Sequence, residues 1–251
     1  MIPLALLVLA LSQELARPSP LVAHGAIELP NVEGRIDHLA VDLAGERVFV
    51  AARGNDTVEV LDLAAGKHVR SVRVPGEPQG ILYLADSRRL VVSSGKEGTC
   101  EVYDGATLEH VTRVDLGDDA DNLRYDAKAK RVFVAYGEGA LGIVDAGTWT
   151  ILGSLALAGH PESFQLDAAA ERAFVNVPDA KHLVQLDLVK RTTLAAWTVD
   201  EAEANFPMVL VPPGAGRAET WLVLGCRTRT LGNWSPAQIH YVLANRFFGA
   251  L

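Results

Sequence analysis

A segment of about 42 residues runs four times along this chain and then decays, and a chain that repeats at such a period must bury its apolar faces by stacking one copy on the next. Arg47-Val48-Phe49-Val50-Ala51 returns as Arg89-Leu90-Val91-Val92-Ser93, Arg131-Val132-Phe133-Val134-Ala135 and Arg172-Ala173-Phe174-Val175-Asn176, so the arginines step by 42, 42 and 41. A second marker keeps the same step. Val60-Leu61-Asp62, Val102-Tyr103-Asp104, Ile143-Val144-Asp145 and Gln185-Leu186-Asp187 place their aspartates 42, 41 and 42 apart.

Within each copy the apolar residues fall in short runs of Val, Leu, Ile and Phe, divided by Asp, Gly, Ala and Lys turns, and no stretch sustains a 3.6-residue period. Strands are predicted in the first copy at 39–41, 48–51, 57–61 and 68–74. Four antiparallel strands per unit of this length make the blade of a β-propeller. The fold class expected is therefore all-β: a β-propeller of four-stranded antiparallel blades, with four clear repeats over 34–206 and an irregular partial fifth.

Phe-Val-Ala followed by a Gly, Asn or Asp loop, and then by a strand ending in Asp, resembles the YVTN-type propeller repeats. The likeness runs from 34 to about 206 and includes Pro75-Gly76-Glu77-Pro78-Gln79-Gly80, a run such proteins often carry between blades. The resemblance implies the propeller fold and, since members of that family are commonly exported, an exported protein. It implies no particular activity, because propellers host unrelated ones. It also implies further blades, so 207–251 reads as a truncated or altered end; a compact five-bladed ring is the alternative. Residues 27–29 align with the fourth strands of the copies and are expected to close the ring on the last blade. Asn205-Phe206-Pro207 opens a fifth copy, with strands expected at 221–226 and at 239–243.

Bulk properties narrow the functional classes. A formal charge of −8 repels a phosphate backbone, and no basic cluster offsets it, so nucleic acid is not an expected partner. Two cysteines supply neither a disulfide framework nor a metal or haem spacing. Residues 2–11 are almost wholly apolar and are followed by small residues spaced like a peptidase site, so 1–23 reads as a signal peptide and leader, and the protein as periplasmic or secreted. That run is too short to span a bilayer, and no later segment reads as a transmembrane domain.

Antiparallel order alone sends the loops between second and third strands, and those between successive blades, to one face. The inter-blade loops end in Asp37-His38, Gln79-Gly80, Asp121-Asn122, Glu162-Ser163 and Ala204-Asn205, at equivalent positions beside the innermost strands. Asp37, His38, Gln79, Asp121, Asn122, Glu162 and Asn205 are the candidate ligand-binding residues of a channel rim. Convergent carboxylates with Asn, Gln and His suit a small polar ligand, and a divalent cation is possible there because hard cations take several oxygen ligands; no other cofactor is expected. His38 and His160 are the histidines nearest the channel; His24, His68, His110, His182 and His240 carry weaker claims. The leading expectation is a binding or scaffold protein for a small polar ligand or a protein partner, without catalysis. The alternative is a propeller enzyme, a metal-assisted hydrolase such as a lactonase or a haem or quinone redox protein, using the same rim. The repeated aspartates are expected to set turns, not to act chemically.

Overall fold

The computed structural model describes residues 24–167, 169, 171–199, 207–211, 221–225 and 231–234. Each copy of the repeat becomes one antiparallel meander of four strands. The first is β1 (Leu39–Asp42), β2 (Arg47–Ala52), β3 (Thr57–Asp62) and β4 (Lys67–Arg73). The second is β5 (Pro78–Leu84), β6 (Arg89–Ser94), β7 (Thr99–Asp104) and β8 (His110–Asp115). The third is β9 (Leu123–Asp126), β10 (Arg131–Tyr136), β11 (Ala140–Asp145) and β12 (Ile151–Ala156), and the fourth is β13 (Phe164–Asp167), β14 (Arg172–Val177), β15 (His182–Asp187) and β16 (Thr192–Thr198). A fifth sheet has, among the described residues, three strands, β17 (Met208–Val211), β18 (Trp221–Gly225) and β19 (Leu231–Trp234).

The markers of the repeat are turn chemistry. Asp62, Asp104, Asp145 and Asp187 end the third strands, and each turns a carboxylate oxygen onto backbone N–H groups two or three residues on, such as Ala106 and Thr107 at 2.9 and 3.1 Å from Asp104 Oδ1. These bonds favour the ionised form, and hold Asp104, Asp145 and Asp187 below the ordinary carboxylate range. Just before each repeated arginine, Glu46, Arg88, Lys130 and Glu171 take left-handed φ values of 47, 50, 55 and 52°, which fold the first hairpin tightly. Arg47 then reaches Asp42 at 2.6 Å and the Gly105 carbonyl of the next sheet at 2.7 Å, tying two units together.

The period of two sends alternate side chains of a middle strand to opposite faces, and both faces are covered. On β10, Phe133 packs with Phe164, Ala173 and Val175 of the fourth sheet, while Val132 and Val134 pack with Val91, Cys100 and Val102 of the second. Phe49, Val58 and Val60 meet Ile81, Leu90 and Val92 in the same way, and Phe174 and Leu183 meet Met208, Leu222 and Leu224. Every cluster thus draws on two successive sheets. The first strands β1, β5, β9, β13 and β17 lie each beside the next, so the sheets fan from a common axis. This is the stacking of a β-propeller, with the fourth strands outermost and exposed over most of their residues.

Two expectations at the chain's ends are corrected. Residues 27–29 join no sheet among the described residues: Val32 N–H closes a turn on the Leu29 carbonyl, and Asn55 holds the stretch after that turn, donating to the Asn31 carbonyl at 2.8 Å and accepting from Glu33 N–H at 2.9 Å. The strand expected at 221–226 forms as β18, but the strand beside it is β19, not 239–243, which lies outside the described residues.

Glu59 on β3 is 1 % exposed, yet it is fully engaged: Thr57 Oγ1 lies 2.5 Å from Oε1, and His68 Nε2 and Ser71 Oγ each lie 2.6 Å from Oε2. One repeat later Glu101 holds His110 at 2.7 Å and Thr99 at 3.2 Å, so His68 and His110, 42 residues apart, have one structural duty. Removing the acceptor strands the donors around it. Glu59→Ala is expected to lose about 1–3 kcal/mol in chemical denaturation, with Glu59→Gln recovering part of it.

Candidate functional site

The loop joining β2 to β3 and the segment leading into β1 meet on one end of the fan. Gly54 N–H donates to the Arg35 carbonyl at 3.0 Å, and Arg53 pairs with Glu77 of the next inter-blade loop at 2.7 Å. A recurrent pair of backbone bonds then fixes the residues that open each inner strand. Asp37 N–H donates to the Ala51 carbonyl and Ala51 N–H to that of His38; Asp121 and Asn122 hold Ala135 alike, and Glu162 and Ser163 hold Asn176. The same repeat that shapes the blades therefore presents equivalent side chains around the axis.

Those side chains line one cleft of about 610 Å³. Asp37, His38, Asp121, Asn122 and Glu162, all expected at the rim, are brought together in it. Gln79 is not. The strand β5 carries a bulge between Pro78 and Ile81, and Gly80 stands where the other units have His38, Asn122 and Ser163. A Cβ on Gly80 would lie 2.2 Å from the Asp121 carbonyl oxygen, so only glycine allows that approach, which Ser93 Oγ secures by donating to the same oxygen at 2.5 Å. Gln79 turns instead against Gly95 and donates to Asp119 Oδ1 at 3.1 Å. His160 turns to the Gly137 carbonyl at 2.7 Å and does not line the cleft. Asn205 lies outside the described residues.

Two arginines complete the lining, and neither was expected from the sequence. Arg35 contacts Asp37 Oδ2 at 2.8 Å. Arg124 occupies the second position of β9, where the aligned residues of the other units are Ala40, Leu82 and Gln165, and a lone cation in an inward slot was the signal available. Its guanidinium lies 5.5 Å over the Phe164 ring and Nη1 donates to the Leu123 carbonyl at 2.7 Å.

The electrostatics are uneven. Asp37 Oδ1 lies 3.0 Å from His38 Nδ1. Burial opposes charge on both, but their bond and mutual attraction win: Asp37 is held below its ordinary 3.8 and His38 above its ordinary 6.5. Asp121 differs. Burial raises it, Asp37 and Asp119 add to the rise, and the nearby histidines only partly offset them. Glu162 is raised by burial and then by Asp121. Asp121 and Asn122 are 7 % and 5 % exposed, and the Oδ1 atom of each is shielded from solvent with no hydrogen-bond donor. Asp37 Oδ2 and His38 Nδ1 also lack well-aligned hydrogen bonds, although both sit at ion-pair distance from a partner, so the true orphans are the two acceptors on β9's approach. Each unmet buried polar atom costs about 1–3 kcal/mol.

Among the described residues no group of three or more His, Cys, Asp or Glu side chains converges as a metal-ligand set. No helix among them is long and apolar enough to cross a membrane.

The fanned four-stranded sheets and their axial cleft define a β-propeller. The chain is similar to the solved structure of hydrazine synthase from Kuenenia stuttgartiensis, with a TM-score of 0.69 and 14 % identity, over 85 % of this chain and 65 % of that one. At that identity the likeness shows the fold alone, and this chain spans 65 % of the length of the chain it matches. No family model and no curated protein matches the sequence.

Proposed function

We propose that this propeller is an exported binding protein whose axial cleft takes a small polar ligand rich in N–H or O–H donors. One observation carries the reading: the Asp121 and Asn122 oxygens are buried acceptors without donors at the lining of a cleft large enough for a small molecule. Buried polar atoms are nearly always paired, and exceptions of this kind mark places where a further group completes the set. Sheets packed face to face hold the unmet acceptors in place, which spares the ligand the cost of ordering them. Isothermal titration of the full chain with ammonium compounds, polyols and amino acids tests this. At least one class is expected to bind, and Asp121→Ala to weaken that binding by about 10- to 100-fold, the worth of a hydrogen bond to a charged group. Binding by none of them, or equal binding by the variant, contradicts the reading.

Export rests on the apolar residues 2–11. Fractionation of expressing cells should find the chain outside the cytoplasm, shortened at its N-terminus; full-length chain in the cytoplasm would refute export and leave the cleft untouched.

A second reading makes the cleft catalytic. It is favoured by the Asp37–His38 pair, in which a carboxylate orients an imidazole whose affinity for protons is raised, as in general acid-base chemistry. Turnover of a lactone or ester panel that is lost in His38→Ala would establish it, and ligand binding without turnover would remove it.

A further inference from the structure

Resting on the binding reading above, we propose that the ligand is a free amino acid, held as a zwitterion with its ammonium group on Asp121 and Asn122 and its carboxylate on Arg124. The geometry supplies both halves. On one side stand the Asp121 carboxylate and the Asn122 amide oxygen, each with a shielded oxygen that no protein donor reaches. On the other stands Arg124, with the Leu123 carbonyl taking one N–H, Phe164 covering a guanidinium face, and no carboxylate within ion-pair distance among the described residues. A guanidinium carries five N–H donors in a planar fork, so Arg124 keeps an edge suited to two carboxylate oxygens. An ammonium group carries three donors and no acceptor, which suits a carboxylate beside an amide oxygen.

Asp121 and Arg124 share the lining and feel each other's charge without forming an ion pair, an arrangement that suits a ligand which is itself of two signs. A polyol would satisfy Asp121 and Asn122 but leave the half-buried Arg124 without a carboxylate bonded to it. A simple cation would face Arg35 and Arg124, and a simple anion would face Asp37, Asp121 and Glu162. Asn122 is also anchored by its own amide, which donates to the Glu162 carbonyl at 2.8 Å and turns its oxygen to the acceptor role. The raised affinity of Asp121 for protons agrees with a carboxylate that lacks a cation of its own.

The test uses the full chain and isothermal titration at neutral pH with the common L-amino acids, and then, for the tightest binder, with its decarboxylated amine and its deaminated acid. The parent compound is expected to bind about 10- to 100-fold more tightly than either fragment. Arg124→Gln should weaken the parent by a similar factor and leave the amine unchanged, a crossed pattern that loss of folding cannot produce. If the amine binds as well as its parent, or if only polyols or simple amines bind, the zwitterion is refuted and the donor-bearing ligand stands. If dipeptides bind and free amino acids do not, the assignment to a free amino acid is refuted. If nothing binds, both readings fall.

Discussion

Phe133→Ala lowers the stability of the fold by about 3–5 kcal/mol, the range for emptying an aromatic site in a packed core. For a chain of this size that corresponds to a fall in Tm of about 6–20 °C, at about 2–4 °C per kcal/mol. Phe133 is 1 % exposed and is the side chain of β10 that fills the seam between the third and fourth blades, with Phe164, Ala173 and Val175 across from it. A ring on one sheet cannot collapse into the void without moving the next sheet. Val69→Ala on β4 supplies the contrast, because Val69 is 47 % exposed at the outer edge and its loss is expected to stay within about 0.5 kcal/mol. Thermal melts of both variants decide the matter: similar small shifts would mean that the sheets do not lean on each other as described.

Asp121→Asn is expected to do the opposite to stability while damaging binding. The carboxylate is buried without a donor, so its ionised form costs the folded state, and its affinity for protons is raised above the ordinary 3.8. A carboxyl group raised in this way contributes stability below pH 3.8, and that contribution is lost as pH rises through its folded value. An amide cannot ionise. The variant should therefore gain on the native protein as pH climbs from 3.8 and lead by about 1–3 kcal/mol once the native carboxyl is charged. Asp37, lowered from 3.8 by its own partners, contributes alike in both proteins, whereas Glu162, raised from 4.5 by burial and then by Asp121, should lose part of its rise in the variant, so the difference between the two curves reports Asp121 together with the groups its charge reaches. His38 should also titrate lower in the variant, because Asp121 is one of the charges that raise it. Denaturation at several pH values tests this directly; a variant less stable than the native protein at every pH, with no pH-dependent gap, would contradict it.

A binding site that lowers stability is the expected trade when unmet polar groups are kept for a ligand. The blades supply the margin. Their middle strands are covered on both faces, and links such as Arg47 to Gly105 cross from one sheet to the next.

Most of the architecture could be read from the sequence because the repeat writes the same physics each time. Phe49, Phe133 and Phe174 recur in phase since each must enter a seam between sheets, and Asp104 and Asp145 recur since each closes the same turn. Phase also placed Asp37, His38, Asp121, Asn122 and Glu162 at the start of inner strands, where they meet in one cleft. Sequence and structure part where the repeat is broken. Gln79 is in phase but sits on a bulge next to a glycine that admits the Asp121 backbone, so its side chain leaves the axis. Arg124 lies inside a strand, and the phase of the loops says nothing of it. Residues 27–29 match a strand in pattern, yet no sheet edge among the described residues takes them, and Asn55 ties down Asn31 and Glu33 just beyond. Pairing depends on what lies alongside, which pattern alone does not contain.

The most direct test is a crystal structure of the full chain, and within it the surroundings of Asp121. Sheets fanned about one axis should bring Asp37, His38, Asp121, Asn122, Arg124 and Glu162 around a single cleft, with no protein N–H or O–H bonded to Asp121 Oδ1. Sheets stacked in line, or a protein donor seated on that oxygen, would contradict both the shape and the site.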